Sequence, residues 1–291
     1  MDNISFGAIE RKYIDTVKDY NLAKATAVID TIPATFLPDY SLLPVYMQGK
    51  TPTCGSHALA FFKCVQEFIE TGKPQDFSRR FPWINIKMVD GYPINLDTGT
   101  DTNAIMKVAT SIGICDSSLM NDDITLPFDV YSSPSALTQE QKDNAQPRVV
   151  DKYAFQKNPS MLDIKKAIYQ NKVVIMTLRL GEEFWTDKNG NGSWQEKDIL
   201  PLRVPKQVVS AHFVTAWGYD EKYIYFRNSW SKDWGRSGDG YFGIEYIPYV
   251  AEIATAVDLS DGYVKKLVMQ RTILQKLVIL YQQLLKQIKG K

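Results

Sequence analysis

The 291-residue chain predicts an α+β fold, built as two lobes with a cleft between them. The first half of the chain is rich in segments whose apolar residues recur at helical spacing, the last of them ending at Tyr169. From Val173 the chain breaks into short runs rich in β-branched and aromatic residues, separated by Gly, Asp and Asn. The third observation is bulk composition: 44% apolar and 23% charged residues, enough for one large domain or two small lobes around a real core.

Taken in order, residues 1–31 read as a polar, mixed helix forming an N-terminal extension. Ile32 to Gly49 is punctuated by Pro33, Pro38 and Pro44 and is expected to run extended over a surface. A helix then begins near Cys54: CGSHALAFFKCVQEFIETG keeps a helical apolar stripe and stops at Gly72, with Pro74 beyond. Further helices are expected over Asn103–Ile112, stopped by Gly113, and over Ser160–Tyr169. Strands are expected at Val173–Leu178, His212–Gly218, Tyr223–Phe226 and Gly240–Ile244. Helix returns from Leu259. The division expected is 1–31, then a catalytic domain over 32–258, then a C-terminal helix over 259–291. Within the domain, the helical lobe covers about 48–125, and the β lobe about 126–258 together with 32–47.

Formal net charge is +1, so the chain as a whole has no general attraction for nucleic acid. The average hides an asymmetry: 263–291 holds Lys265, Lys266, Arg271, Lys276, Lys286, Lys289 and Lys291 and no acid. A heptad-like stripe runs through the same segment, with Leu267, Leu274, Tyr281 and Ile288 in one row and Leu277 and Leu284 in the other. That pattern suits packing or self-association, or contact with a membrane surface or acidic partner. No stretch approaches the ~18 apolar residues of a membrane span, and the first residues lack a signal-peptide pattern. Three cysteines, Cys54, Cys64 and Cys115, make no disulfide framework and point to a reducing compartment, cytoplasmic or within a virion.

Acyl transfer by a thiol needs a thiolate, a base, a group that orients the base, and donors for the oxyanion. Cys54 stands at an expected helix N-terminus, where first-turn N–H groups favour negative charge. Gln48, six residues earlier, lies on the approach loop with an amide that can donate to an oxyanion. Of the two histidines, His212 lies in a strand-like run, VVSAHFVTAWGY. Asn228 follows in IYFRNSWSKDWG, at the end of another strand, where its carboxamide can fix the tautomer of His212.

The order Gln48, Cys54-Gly55-Ser56, Ala211-His212-Phe213-Val214, then Asn228-Ser229-Trp230, Trp234-Gly235 and Gly240-Tyr241-Phe242 resembles the papain family of cysteine peptidases. NSWSKDWGRSGDGYFGI is similar to the N-S-W-G-x-x-W-G-x-x-G-Y signature of that family, and the resemblance spans roughly Ile32 to Val257. It implies a papain-like two-lobe fold, with a helical lobe carrying Cys54 and an antiparallel β-barrel lobe carrying His212 and Asn228. It further implies that Gln48 and the Cys54 N–H hold the oxyanion and that Trp230 shields the His212–Asn228 bond. No cofactor is implied. Few cysteines set the chain apart from secreted relatives and suit a microbial or viral-type member. Relatives read C-G-S-C-W where this chain reads Cys54-Gly55-Ser56-His57-Ala58. Aligning the two C-G-S triplets would place His57 at the nucleophile but stretch the spacing from Gln48 by three residues, so Cys54 is the nucleophile. Gly55 then stands where the family has Trp, and the wall beside Cys54 is expected to be more open.

His57 is the rival base. It leaves no room for a carbonyl between itself and Cys54, and it reads as a packing or cleft-wall residue. Cys64 and Cys115 read as core thiols. Asp187, Asn189, Asn191 and Asp198 fall at calcium-loop positions, but the twelfth position is Asp rather than Glu, and a Gly/Asn-rich surface turn explains the segment more cheaply. The function expected is a cysteine peptidase acting on protein or peptide substrates through a thioester. The alternatives are a silent protein of the same fold with its cleft blocked by a terminus, or a transpeptidase or amidase using the same residues.

Overall fold

A computed structural model describes residues 7–10, 20–21, 31–94, 98–189 and 192–258. The C-terminal segment expected to be helical, 259–291, and most of 1–31 lie outside the described residues. Within 1–31, the parts described are extended instead of helical. Ala8 bridges Thr100, and Tyr20–Asn21 forms a short strand, β1.

Helix α1 (Cys54–Thr71) carries an unbroken buried stretch from Cys54 to Glu67 and ends at Gly72, which takes the left-handed conformation (φ 68°) that glycine adopts at least cost. Helix α2 (Arg80–Val89) packs beside it and was not foreseen. Its Pro82 discourages a helical reading, yet in the first turn a missing N–H breaks no intrahelical bond. Helix α3 (Thr102–Ser111) is capped by Asp101, whose side chain accepts from the Ala104 N–H, and matches the stretch expected over 103–112. Short helices α4 (Phe128–Tyr131) and α5 (Gln139–Ala145) follow. Ala145 packs with Phe81, Ile84 and Cys115. The helical portion therefore runs on past the expected boundary at 125, and the sheet resumes only at Val150.

The strands are β2 (Val150–Lys157), β3 (Val174–Leu180), β4 (Ser210–Tyr219), β5 (Ile224–Arg227), β6 (Asp239–Phe242) and β7 (Val250–Asp258). They form one sheet in the order β1-β2-β7-β3-β4-β5-β6, antiparallel except for the β1–β2 pair. Helix α6 (Met161–Asn171), with a capping box from Ser160 and Asp163, leads into β3, and a single turn, α7 (Glu196–Ile199), precedes β4.

The pleat splits the strands between two cores. Val173, Ile175 and Phe213 join α1 and α3 in one, whereas Val174, Met176, Leu178, Val214 and Ala216 join Phe184, Trp230 and Trp234 in the other. The sheet is thus covered on both faces at β3 and β4. The Thr215 hydroxyl, donating to the Ala58 carbonyl at 3.0 Å, ties β4 to the first turns of α1. That contact brings the start of the cysteine-bearing helix against the histidine-bearing strand. No described helix is long and apolar enough to cross a membrane.

Candidate active site

Cys54 is the first residue of α1. The preceding Thr53 does not cap the helix with its side chain, which instead meets the Thr51 hydroxyl at 2.6 Å. First-turn N–H groups are therefore left to the sulfur. The backbone N–H groups of Phe213, Gly7, Gly55 and Cys54 itself all favour the thiolate, yet burial outweighs them and pushes the thiol up to about 11. Phe213 follows His212, so the amide that reaches the sulfur places Cys54 beside the imidazole-bearing strand position.

His212, fully buried on β4, meets Asn228 Oδ1 through Nε2 at 2.9 Å. Oδ1 also accepts from the Ser229 N–H at 2.8 Å, and the Asn228 N–H donates to Gly238 O at 2.9 Å. With its oxygen held by an N–H, the carboxamide directs Nε2–H toward itself and leaves proton exchange to Nδ1. Burial pushes His212 down to about 4, opposed by the Asn228 hydrogen bond and reinforced by the charge of His57. Trp230 packs on the imidazole with ring centroids 5.3 Å apart, and Phe184 stands on it at 5.9 Å. Trp230 thus lies where it excludes water from the His212–Asn228 bond. Phe184 was not singled out from the sequence because nothing local to it points to histidine.

Gln48 is buried and anchored at both ends of its amide. Nε2 donates to Thr51 O at 2.9 Å and Oε1 accepts from the Ser229 hydroxyl at 2.6 Å. Its backbone N–H bonds Ser229 O at 2.9 Å. Ser229 therefore links the Gln48 loop to the Asn228 strand end, a bridge across 181 positions that sequence reading missed. Gln48, Cys54, His212, Asn228 and Trp230 come together in one buried cluster.

Gly55 departs from expectation. A Cβ there would meet Ile105 Cδ1 at 2.8 Å and Thr100 Cγ2 at 2.9 Å. The wall is not open; Ile105 of α3 and Thr100 just before it close it. The chain itself lies along this wall: Thr100 N–H donates to Gly7 O and Ile9 N–H to Thr100 O, both at 2.7 Å. Arg179 grips Glu10 at 2.7 and 3.0 Å. Gly7 fits so closely that a Cβ would sit 1.8 Å from Pro52 O.

Cys64 and Cys115 are both buried in the core. Asp187, Asn189 and Asp198 hold their loop together, and Asn191 lies outside the described residues. Asp187 accepts from the N–H groups of Asn189 (2.8 Å) and Gly192 (2.6 Å), while Asn189 Nδ2 donates to Asp198 Oδ1 at 2.6 Å. These oxygens serve a turn, and the described residues hold no group of three His, Cys, Asp or Glu placed for a metal.

The papain-family cysteine protease profile matches residues 94–258, more than half of the chain, and the chain belongs to that family. It is a cysteine peptidase. The match includes His212 and Asn228; the placement of Cys54 and Gln48 comes from the geometry above. Among solved structures, xylellain, a cysteine protease from Xylella fastidiosa, is similar with a TM-score of 0.69 at 20% identity, covering 87% of this chain and 96% of that one. The proform of cathepsin B from Trypanosoma congolense gives 0.64 at 13% identity, covering 87% and 86%. Bromelain from Ananas comosus, in complex with E64, gives 0.59 at 16% identity, covering 78% and 100%. These likenesses show the fold. No curated protein matches the chain in sequence.

Proposed function

We propose that this peptidase cleaves protein or peptide substrates with Cys54 as nucleophile, His212 as base, Asn228 as the residue that orients His212, and Gln48 with the Cys54 N–H as the oxyanion site. The observation that carries this reading is the His212–Asn228 bond beside the helix-terminal Cys54. In the reaction the thiol gives its proton to His212, the sulfur attacks the carbonyl, and the amine leaves with that proton. Water, deprotonated by the same imidazole, then hydrolyses the thioester. Hydrolysis of a fluorogenic peptide library tests it. Cys54→Ser and His212→Ala are each expected to lose at least ~10³-fold in kcat/KM without loss of fold. Equal rates in Cys54→Ser and wild type would overturn the assignment.

A second element of the reading concerns state. Gly7–Glu10 pairs with Thr100 and lies against the nucleophile, which supports a latent enzyme. The blocked-cleft protein weighed from the sequence has this one feature in its favour. Beneath the segment, however, the His–Asn pair remains assembled, which favours a peptidase held in reserve. Burial also keeps the thiol and the imidazole neutral in this closed form.

A further inference from the structure

One turn below Cys54 on α1 stands His57, an imidazole that the catalytic roles leave unused. It is 1% exposed. Its Nδ1 lies 2.9 Å from the carbonyl oxygen of Thr53, the residue before the nucleophile, and its Nε2 lies 3.2 Å from Asp122 Oδ2. A carbonyl oxygen only accepts, so Nδ1 carries a proton. Asp122 is held as a carboxylate. Burial alone would raise it, but the charge and hydrogen bond of His57, together with Arg79 and the Tyr131 hydroxyl, bring it down to about 2. A lone pair on Nε2 would be repelled by that anion, whereas a proton there would be attracted to it. Both ring nitrogens of His57 thus face acceptors.

Its surroundings set where a charge on the ring would act. Arg79 Nε backs Asp122 at 3.4 Å, and the Tyr46 ring stands edge-on to the imidazole at 6.0 Å. His57 and Asn228 share the walls of a cavity of about 10 Å³, with Arg227 also on its lining. Cys54 lies at i−3 on the same helix face, with Cβ atoms about 5–6 Å apart. The charged groups around the ring are thus Asp122 and Arg79 from the helical side, Arg227 from β5, and the catalytic pair.

We propose that His57 is a positioning residue for the catalytic pair: an imidazolium pinned between Thr53 and Asp122, which locks the first turn of α1 and whose charge favours the unprotonated form of His212. The inference rests on the catalytic reading given above. Its sign is fixed by like charges: a cation near His212 disfavours a second cation there, so removing it must make His212 easier to protonate.

The test is NMR of the histidine ring nitrogens in the full chain, isotope-labelled at histidine. There are two histidines, so His57→Gln leaves only the signals of His212 and assigns both residues. In wild type at neutral pH, His57 is expected to show two protonated nitrogens. In His57→Gln the protonation midpoint of His212 should rise by about half a unit to one unit. Asp122→Asn keeps the imidazole and removes its anion, and it serves if His57→Gln does not fold. It should cost His57 its Nε2 proton at neutral pH and move His212 in the same direction. An unprotonated nitrogen on wild-type His57, or an unmoved His212 midpoint in the folded variants, would overturn the proposal. These readouts need no turnover, so a chain that hydrolyses nothing sinks the catalytic reading without deciding this one.

Discussion

Gln48 sits with its amide fixed by Thr51 O on one side and the Ser229 hydroxyl on the other, so the amide has a fixed direction. Fixed donors are what oxyanion stabilisation requires, because they need no reorganisation when charge develops. Gln48→Ala is therefore expected to lower kcat by about 10²–10³-fold with KM little changed. Ser229→Ala, which leaves the amide in place but loosens it, should lose about tenfold. A KM effect with kcat intact, in steady-state kinetics, would contradict the role. At this scale the proposed site residues Gln48, Cys54, His212, Asn228 and Trp230 could all be named from the sequence, because each lies in a short motif whose chemistry is carried by its immediate neighbours. Ser229 as a bridge, Phe184 over the imidazole, and Asp122 beneath His57 were not. Each acts across more than twenty positions of chain, through contacts that only the fold creates.

Among the elements, α1, α3, α6 and four strands stood out in sequence through period and punctuation. Helix α2 was hidden by Pro82, and β2 and β7 by composition. Strand β7 reads VAEIATAVD, in which three alanines and Glu252 dilute the strand signal of Val250, Ile253, Thr255 and Val257. It is a strand because β2 and β3 flank it on both sides, a tertiary constraint no local pattern reports. The seam between α1 and α3 yields a prediction of its own. Gly55 has no room for a methyl group against Ile105 and Thr100. Gly55→Ala should destabilise the protein by about 1–3 kcal/mol in chemical denaturation, and Ile105→Val in the same chain should recover part of the loss. A neutral Gly55→Ala would mean that the seam is looser than its distances indicate.

For the whole molecule, the question is what holds Gly7–Glu10 in place. The Glu10–Arg179 pair is partly exposed on both sides, and such pairs contribute little. Backbone pairing with Thr100 and the close fit of Gly7 under Pro52 O carry more weight, so disrupting Gly7 should release the segment more effectively than disrupting Glu10. On the proposed reading, latency of this kind also accounts for a Cys54 that is wholly buried beside the bonded His212–Asn228 pair.

The most direct measurement is the rate at which an epoxide or vinyl-sulfone peptide probe labels the full chain, with the modified residue mapped by mass spectrometry. Wild type would be compared with Glu10→Ala, Gly7→Val and the double variant Gly7→Val with His212→Ala. The label should fall on Cys54, slowly in wild type, a few-fold faster in Glu10→Ala, and at least about tenfold faster in Gly7→Val. It should be lost when His212→Ala is added. A Cys54 that stays inert in folded Gly7→Val, or a label that ignores His212, would contradict the account.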